Sequence, residues 1–247
     1  MSSPSPAGGS WGDEPTGSAV GPAVDRPPGR SETAFLLLAG LFVAALVVCN
    51  LIANKFVSVG LFGATFVLSA GALPYPATFL VTDLLSEVWG RARANLVVVS
   101  GFVASVFVLG VLWLGDLFPA IPESRVSDGA YREVFQSAWR VVAASMTAYL
   151  VAQLVDIRLF HFWRRLTRGR HLWLRNNGST VLSQLLDSVL VVLVLFYDRM
   201  SLGQMAAIIG DLWLFKVLVA LLDTPFFYLG TWALQRWTGR PPLPVDA

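Results

Sequence analysis

Six stretches of this chain, near 34–56, 62–88, 94–115, 138–160, 180–198 and 206–235, are each about as long and apolar as a bilayer crossing requires. Lipid offers backbone N–H and C=O groups no partners, so stretches of this kind fold as helices. The second is interrupted by Pro74 and Pro76, and the last is long enough to tilt or to begin as a loop. Only 14% of the residues are charged and 55% are apolar, whereas soluble domains carry about 25% charged residues. The fold expected is an all-α membrane protein with six transmembrane helices. Disordered, collagen-like and disulfide-scaffold states are excluded for the bulk of the chain. Cys49 is the lone cysteine, which leaves no intrachain disulfide and no cysteine-rich metal site. A net charge of +2 is too small to point to nucleic acid.

The ends differ from the middle. Residues 1–31 are rich in Pro, Gly and Ser without apolar periodicity, and read as a disordered tail. No small-residue cleavage site closes a short apolar region after it, so the first apolar run reads as an uncleaved span rather than a signal peptide. A six-helix membrane domain then covers 32–238, followed by a short tail over 239–247. Loop charge sets the orientation. The connection after the fourth stretch carries Arg158, Arg164, Arg165, Arg168, Arg170 and Arg175, which predicts a cytoplasmic loop. Arg26, Arg30, Arg91, Arg93, Arg236 and Arg240 then fall on the same side, and both termini are expected in the cytoplasm. Trp89, Trp113, Trp139, Trp163, Trp213 and Trp232 lie near stretch ends, as interfacial aromatics do.

Polar residues inside the apolar stretches carry the functional information. The 16 arginines lie in loops, tails or at the ends of the stretches, whereas Lys55 and Lys216 fall inside or at the edge of apolar runs, where a lysine either snorkels to the interface or meets an acid. Asp83 and Glu87 share one helix face in the second stretch, and two carboxylates there repel unless a cation, a proton or a hydrogen-bonding ligand intervenes. Glu87 can equally sit at the interface beside Arg91 and Arg93. The fifth stretch carries a stripe at positions 176, 180, 183/184 and 187. Hydroxyls and amides on such a stripe serve as interhelical glue, but Asp187 must face protein or water. Asn50 and Asn54 share a face in the first stretch. Lys216 and Asp223, seven residues apart in the sixth, can form a structural ion pair, with Thr224 and the kink-permitting Pro225 following. Residues 82–88 also align with 183–189, as an inverted repeat would. Amide, carboxylate, hydroxyl and amine groups from several helices describe a polar cavity suited to a small, flat, hydrogen-bonding solute, with Tyr75 placed to stack on it.

Three runs, NLIANK (50–55), YPATFLVTDLLSEVWGR (75–91) and RNNGSTVLSQLLD (175–187), resemble the queuosine precursor transporter family, also described as vitamin uptake transporters. The resemblance covers roughly 34–236. It implies a six-spanning protein similar to the substrate-binding components of energy-coupling-factor transporters, taking up 7-deazaguanines such as 7-cyano-7-deazaguanine for queuosine salvage. The residues expected to bind the solute are Asn50, Asn54, Lys55, Tyr75, Thr82 and Asp83, together with Glu87, Asn177, Ser183, Gln184, Asp187 and Lys216. Asp223 is the expected partner of Lys216. No cofactor, resident metal or catalytic residue is expected, since zinc-protease, serine-hydrolase and ATP-binding motifs are absent. The partners expected are the solute and membrane lipid, with a homo-oligomer or a separate energising subunit left open. The alternative is a substrate-binding subunit for another vitamin-like solute, served by a separate ATPase. Proton coupling and facilitated diffusion stay equally open as energy sources.

Overall fold

The computed structural model describes residues 29–53, 55–61, 63–135, 139–197, 200–241 and 243. Among these, α1 (Arg30–Leu51) leads into a hairpin of β1 (Phe56–Leu61) and β2 (Ala64–Ser69), and then α2 (Tyr75–Trp89) and α3 (Arg91–Asp116). The short α4 (Asp128–Phe135) precedes three long helices, α5 (Trp139–Leu166), α6 (Leu172–Phe196) and α7 (Leu202–Thr238). The tail expected over 1–31 lies outside the described residues up to residue 28, and helix is already present from Arg30.

The chain is mostly helical, but the hairpin corrects the all-α expectation. The stretch near 62–88 is not one helix. Its first part is a strand paired antiparallel with the segment after α1, in a register running from Phe56 opposite Ser69 to Leu61 opposite Ala64. Hydropathy scores Val and Phe alike in helix and strand, whereas β-branched and aromatic residues such as Val57, Val59, Thr65 and Phe66 favour the pleated form. Helix begins only where Pro76 can occupy the first turn, whose N–H needs no partner. Between hairpin and α2, Gly71 lies against the carbonyl of Cys49 so closely that any side chain there would strike it. The 3₁₀ turn Ala70–Ala72 can therefore rest on the end of α1.

Four of the described helices are long and apolar enough to cross a membrane: α1, α3, α6 over Leu172–Val194, and α7. The 15 residues of α2 reach only about 22 Å, short of a hydrocarbon core of about 30 Å. The 28-residue α5 is long enough but carries Asp156, Arg158, Arg164 and Arg165.

Packing explains why these two helices are the polar ones. From Val81 to Gly90 every residue of α2 and its end is buried. Phe42 and Leu46 of α1, Val97 and Val98 of α3, and Tyr149 and Ile157 of α5 close one core around it. Phe227 of α7 meets Phe160 of α5 edge-on, with ring centroids 6.1 Å apart, and closes the rest. Outward-facing apolar residues crowd α3 and α7, for example Phe107 and Phe226, and occur also on α1, α5 and α6, at Leu37, Phe162 and Leu182. A single residue, Gly90 at φ +87°, joins α2 to α3 and reverses the chain where a side chain would be strained.

The two ends of the bundle differ. At one, Arg240 Nε donates to Ser31 Oγ at 2.6 Å and its guanidinium lies 5.8 Å from the Trp89 ring, so the beginning of α1 and the end of α7 sit together. Glu32 and Arg93 pair there at 3.0 Å. At the other lie the hairpin and α4, which Arg132 ties to Asp116 of α3 at 2.7 Å.

Candidate functional site

Helix period places Asn176, Thr180 and Gln184 on one face of α6, and this face meets α2 and α7 in a narrow cleft. Tyr75, Phe79 and Phe215 supply aromatic walls, and Lys216 and Asp223 supply charge. A second, larger cleft opens toward α1 and α5, lined among others by Asn50, Tyr149, Asp187 and Ser188. Tyr75, Ala72 and Lys216 line both, so they form the partition between the two.

The partition is electrostatically organised. Lys216 Nζ donates to Asp187 Oδ2 at 2.5 Å and lies 5.3 Å from the centre of the Tyr75 ring. Tyr75 in turn meets Tyr149 at 5.6 Å and Phe79 at 5.5 Å between centroids, and its hydroxyl is turned to Asp187. A lysine held by one carboxylate and one ring face is immobilised without being saturated, since two of its three N–H donors remain available to a ligand. Gln184 is 3% exposed, and among the described residues neither its Oε1 nor Asp187 Oδ1 has a hydrogen-bond partner. Buried acceptors left in this state bind a donor when one arrives.

Toward the terminal end the polar residues continue as a closed column. Thr82 Oγ1 lies 3.2 Å from Gln153 Oε1, and Gln153 Nε2 donates to the Tyr149 hydroxyl at 3.1 Å. Ser183 Oγ donates to Asp156 Oδ1 at 2.7 Å, and Asp83 faces Asp156 within hydrogen-bonding reach. One turn further, Arg175 Nη2 pairs with Glu87 Oε1 at 2.6 Å, both buried. Arg175 also caps the Gly169 carbonyl, and Arg164 Nη2 donates to the Leu243 carbonyl at 2.6 Å.

The structure thus divides the expected solute-binding residues. Tyr75, Gln184, Asp187, Lys216 and Asn50 line the clefts. Thr82, Asp83, Glu87 and Ser183 belong to the closed column below. Asn177 holds helices together, its Nδ2 donating to Thr224 Oγ1 on α7 at 2.8 Å. Lys55 is exposed between α1 and β1, and Asn54 lies outside the described residues. The expected Lys216–Asp223 pair is corrected: Lys216 turns to Asp187 across the helix interface. Seven residues along a helix separate two positions by about 10 Å, farther than a carboxylate of α6 lies. Asp223 lines the smaller cleft instead. Arg164 and Arg175, counted above as loop charge, also turn inward.

The residues missed were those of α5. Tyr149, Gln153 and Asp156 recur at intervals of four and three within an apolar run, the same helical signature that marked α6.

Residues 69–230 match the family model described as putative vitamin uptake transporter. A probable queuosine precursor transporter of Bacillus subtilis (strain 168) is 34% identical over 193 residues, covering 76% of this chain and 82% of the relative. The queuosine precursor transporter of Escherichia coli (strain K12) is 27% identical over 165 residues, covering 62% of this chain and 67% of the relative. No solved structure matches the chain.

Proposed function

The chain belongs to the putative vitamin uptake transporter family, whose members are multi-pass membrane uptake proteins, and from that premise we propose that it imports a 7-deazaguanine such as 7-cyano-7-deazaguanine across the cell membrane. The observation that carries the proposal is the aromatic-walled cleft in which Gln184 presents a buried, unpaired acceptor beside Lys216 and Asp223.

The chemistry of the solute fits these groups. A 7-deazaguanine is planar and offers a ring N–H and an exocyclic amine on one edge, which a carboxylate such as Asp223 accepts together. Its ring carbonyl is an acceptor for Lys216, and Gln184 Oε1 takes a remaining N–H. Tyr75, Phe79 and Phe215 offer faces and edges against which the ring packs. Asn50 and Asp187, in the larger cleft, would meet the solute on its way in or out.

In this reading α1, α3, α5, α6 and α7 cross the bilayer, and the short α2 together with the 3₁₀ turn and hairpin ahead of it makes the sixth crossing inside the bundle, with both termini in the cytoplasm. Enclosure of α2 by α1, α3, α5 and α7, and the packing of α5 against α2, α3 and α6, support it, since a helix face turned to protein need not be apolar. The exposed arginines Arg165, Arg168 and Arg170, between α5 and α6 at the terminal end, support the orientation. Uptake of labelled 7-cyano-7-deazaguanine by precursor-requiring cells expressing this chain alone is the test. Gln184→Ala and Asp223→Ala should each lower uptake by about tenfold, the cost of one lost or unsatisfied buried hydrogen bond. Normal uptake by both variants would remove the site. Uptake that appears only with an added ATPase would make the chain a substrate-binding subunit instead.

A further inference from the structure

We propose that the facing carboxyls of Asp83 and Asp156 bind a proton and couple solute uptake to proton entry; this inference rests on the uptake reading above. The two residues lie on different helices, α2 and α5, and are 1% and 0% exposed. Asp156 Oδ1 accepts from Ser183, but Asp83 Oδ1 and Asp156 Oδ2 have no donor among the described residues, although the two side chains lie within hydrogen-bonding reach of each other. Two carboxylates in this arrangement repel, while one proton between them converts the repulsion into an O–H···O bond. Among the described residues no three His, Cys, Asp or Glu side chains converge to hold a metal ion, and one proton between the carboxyls satisfies both orphaned oxygens at once.

The one cation whose charge reaches the pair, Arg175, is bonded elsewhere. On α2, Glu87 is one turn away and is taken by Arg175 of α6. On α6, Asp187 is taken by Lys216 of α7, and Asp223 of α7 faces the smaller cleft. On α5, Arg164 reaches the Leu243 carbonyl, and His161 packs edge-on to Phe160. Helices α1 and α3 bring charge only near their ends, at Arg30, Glu32, Arg91, Arg93 and Asp116.

The pair is also wired to the cleft. Ser183, which holds Asp156, is followed directly by Gln184 in the cleft wall, and its hydroxyl contacts the carbonyl of Thr180, another wall residue, at 3.1 Å. A solute that shifts this turn of α6 alters the hydrogen bond that Asp156 receives. The pair takes up a proton on the side from which the solute enters and gives it up toward the terminal end when the solute leaves. The only bond made and broken is a carboxyl O–H, formed with a proton taken from water on the entry side and returned to water on the other, so that one positive charge moves with each solute.

The test uses the full chain in liposomes, labelled 7-cyano-7-deazaguanine as probe, and the membrane potential clamped with potassium and valinomycin. One proton per solute predicts that an acid-outside step of one pH unit drives accumulation about tenfold above equilibrium. An indicator trapped inside should record acidification as the solute enters. In Asp156→Asn, which keeps the shape but cannot ionise, gradient-driven accumulation divided by exchange at equal pH should fall about tenfold relative to the unaltered chain. Exchange by the unaltered chain with neither accumulation nor acidification would overturn the proton site and leave the uptake reading standing. Accumulation by Asp156→Asn equal to that of the unaltered chain would overturn it as well. Absence of both binding and exchange in the unaltered chain at any pH would overturn the uptake reading and the coupling with it.

Discussion

Helices α2 and α3 are joined by one residue and could hardly differ more. The first has 15 residues, is buried almost throughout, and carries Thr82, Asp83, Ser86 and Glu87. The second has 26 residues, of which Ala94, Val97, Val98, Gly101 and Ser105 are buried, and most of the rest are apolar and turned outward. Polarity within the bundle follows enclosure. A helix ringed by four others can hold acids that would be ruinous on a helix facing lipid, because its neighbours supply the hydrogen bonds and counter-charges that lipid cannot.

If that contrast is real, damage inside α2's surroundings should far exceed damage on α3's outer face. The largest effect is expected for Arg175→Met, which leaves Glu87 buried without its cation and should cost about 3–5 kcal/mol in thermal unfolding of the detergent-solubilised protein. Adding Glu87→Gln should restore most of the loss, and failure to do so would mean the pair is not the origin of the effect. Next is Gly90→Ala, which places a side chain at a strongly positive φ and should cost about 1–3 kcal/mol by the same measurement. Asn177→Ala removes one bond to Thr224 across the α6–α7 interface and should cost about 0.6–1.7 kcal/mol. The smallest effect belongs to Phe107→Leu on the outer face of α3, expected within about 0.5 kcal/mol of the unaltered chain. A large loss there would show that this face is covered by protein rather than lipid.

The helix period and loop charges let the sequence disclose much of this. The α6 stripe formed as spaced, because positions on one face follow from 3.6 residues per turn. The hairpin was hidden because an apolar run of Val, Leu and Phe scores the same whether it crosses lipid or pairs as strands. Partners across helices were hidden for a different reason. Arg175 and Glu87 are 88 positions apart, and Lys216 and Asp187 are 29 apart, so only the packing of one helix on another chooses them. Asp223 illustrates the point: its spacing from Lys216 suggested a bond within α7, while a nearer acid across the interface took the lysine.

The bond between Arg240 and Ser31 has a practical consequence. Residues at the start of α1 and just beyond α7 touch, so the chain emerges where it entered. Fluorescent or enzymatic reporters attached before α1 and after α7 should therefore light up in the same compartment. A fusion that separated them would also have to pull Leu243 away from Arg164 and strip that arginine of the carbonyl it holds.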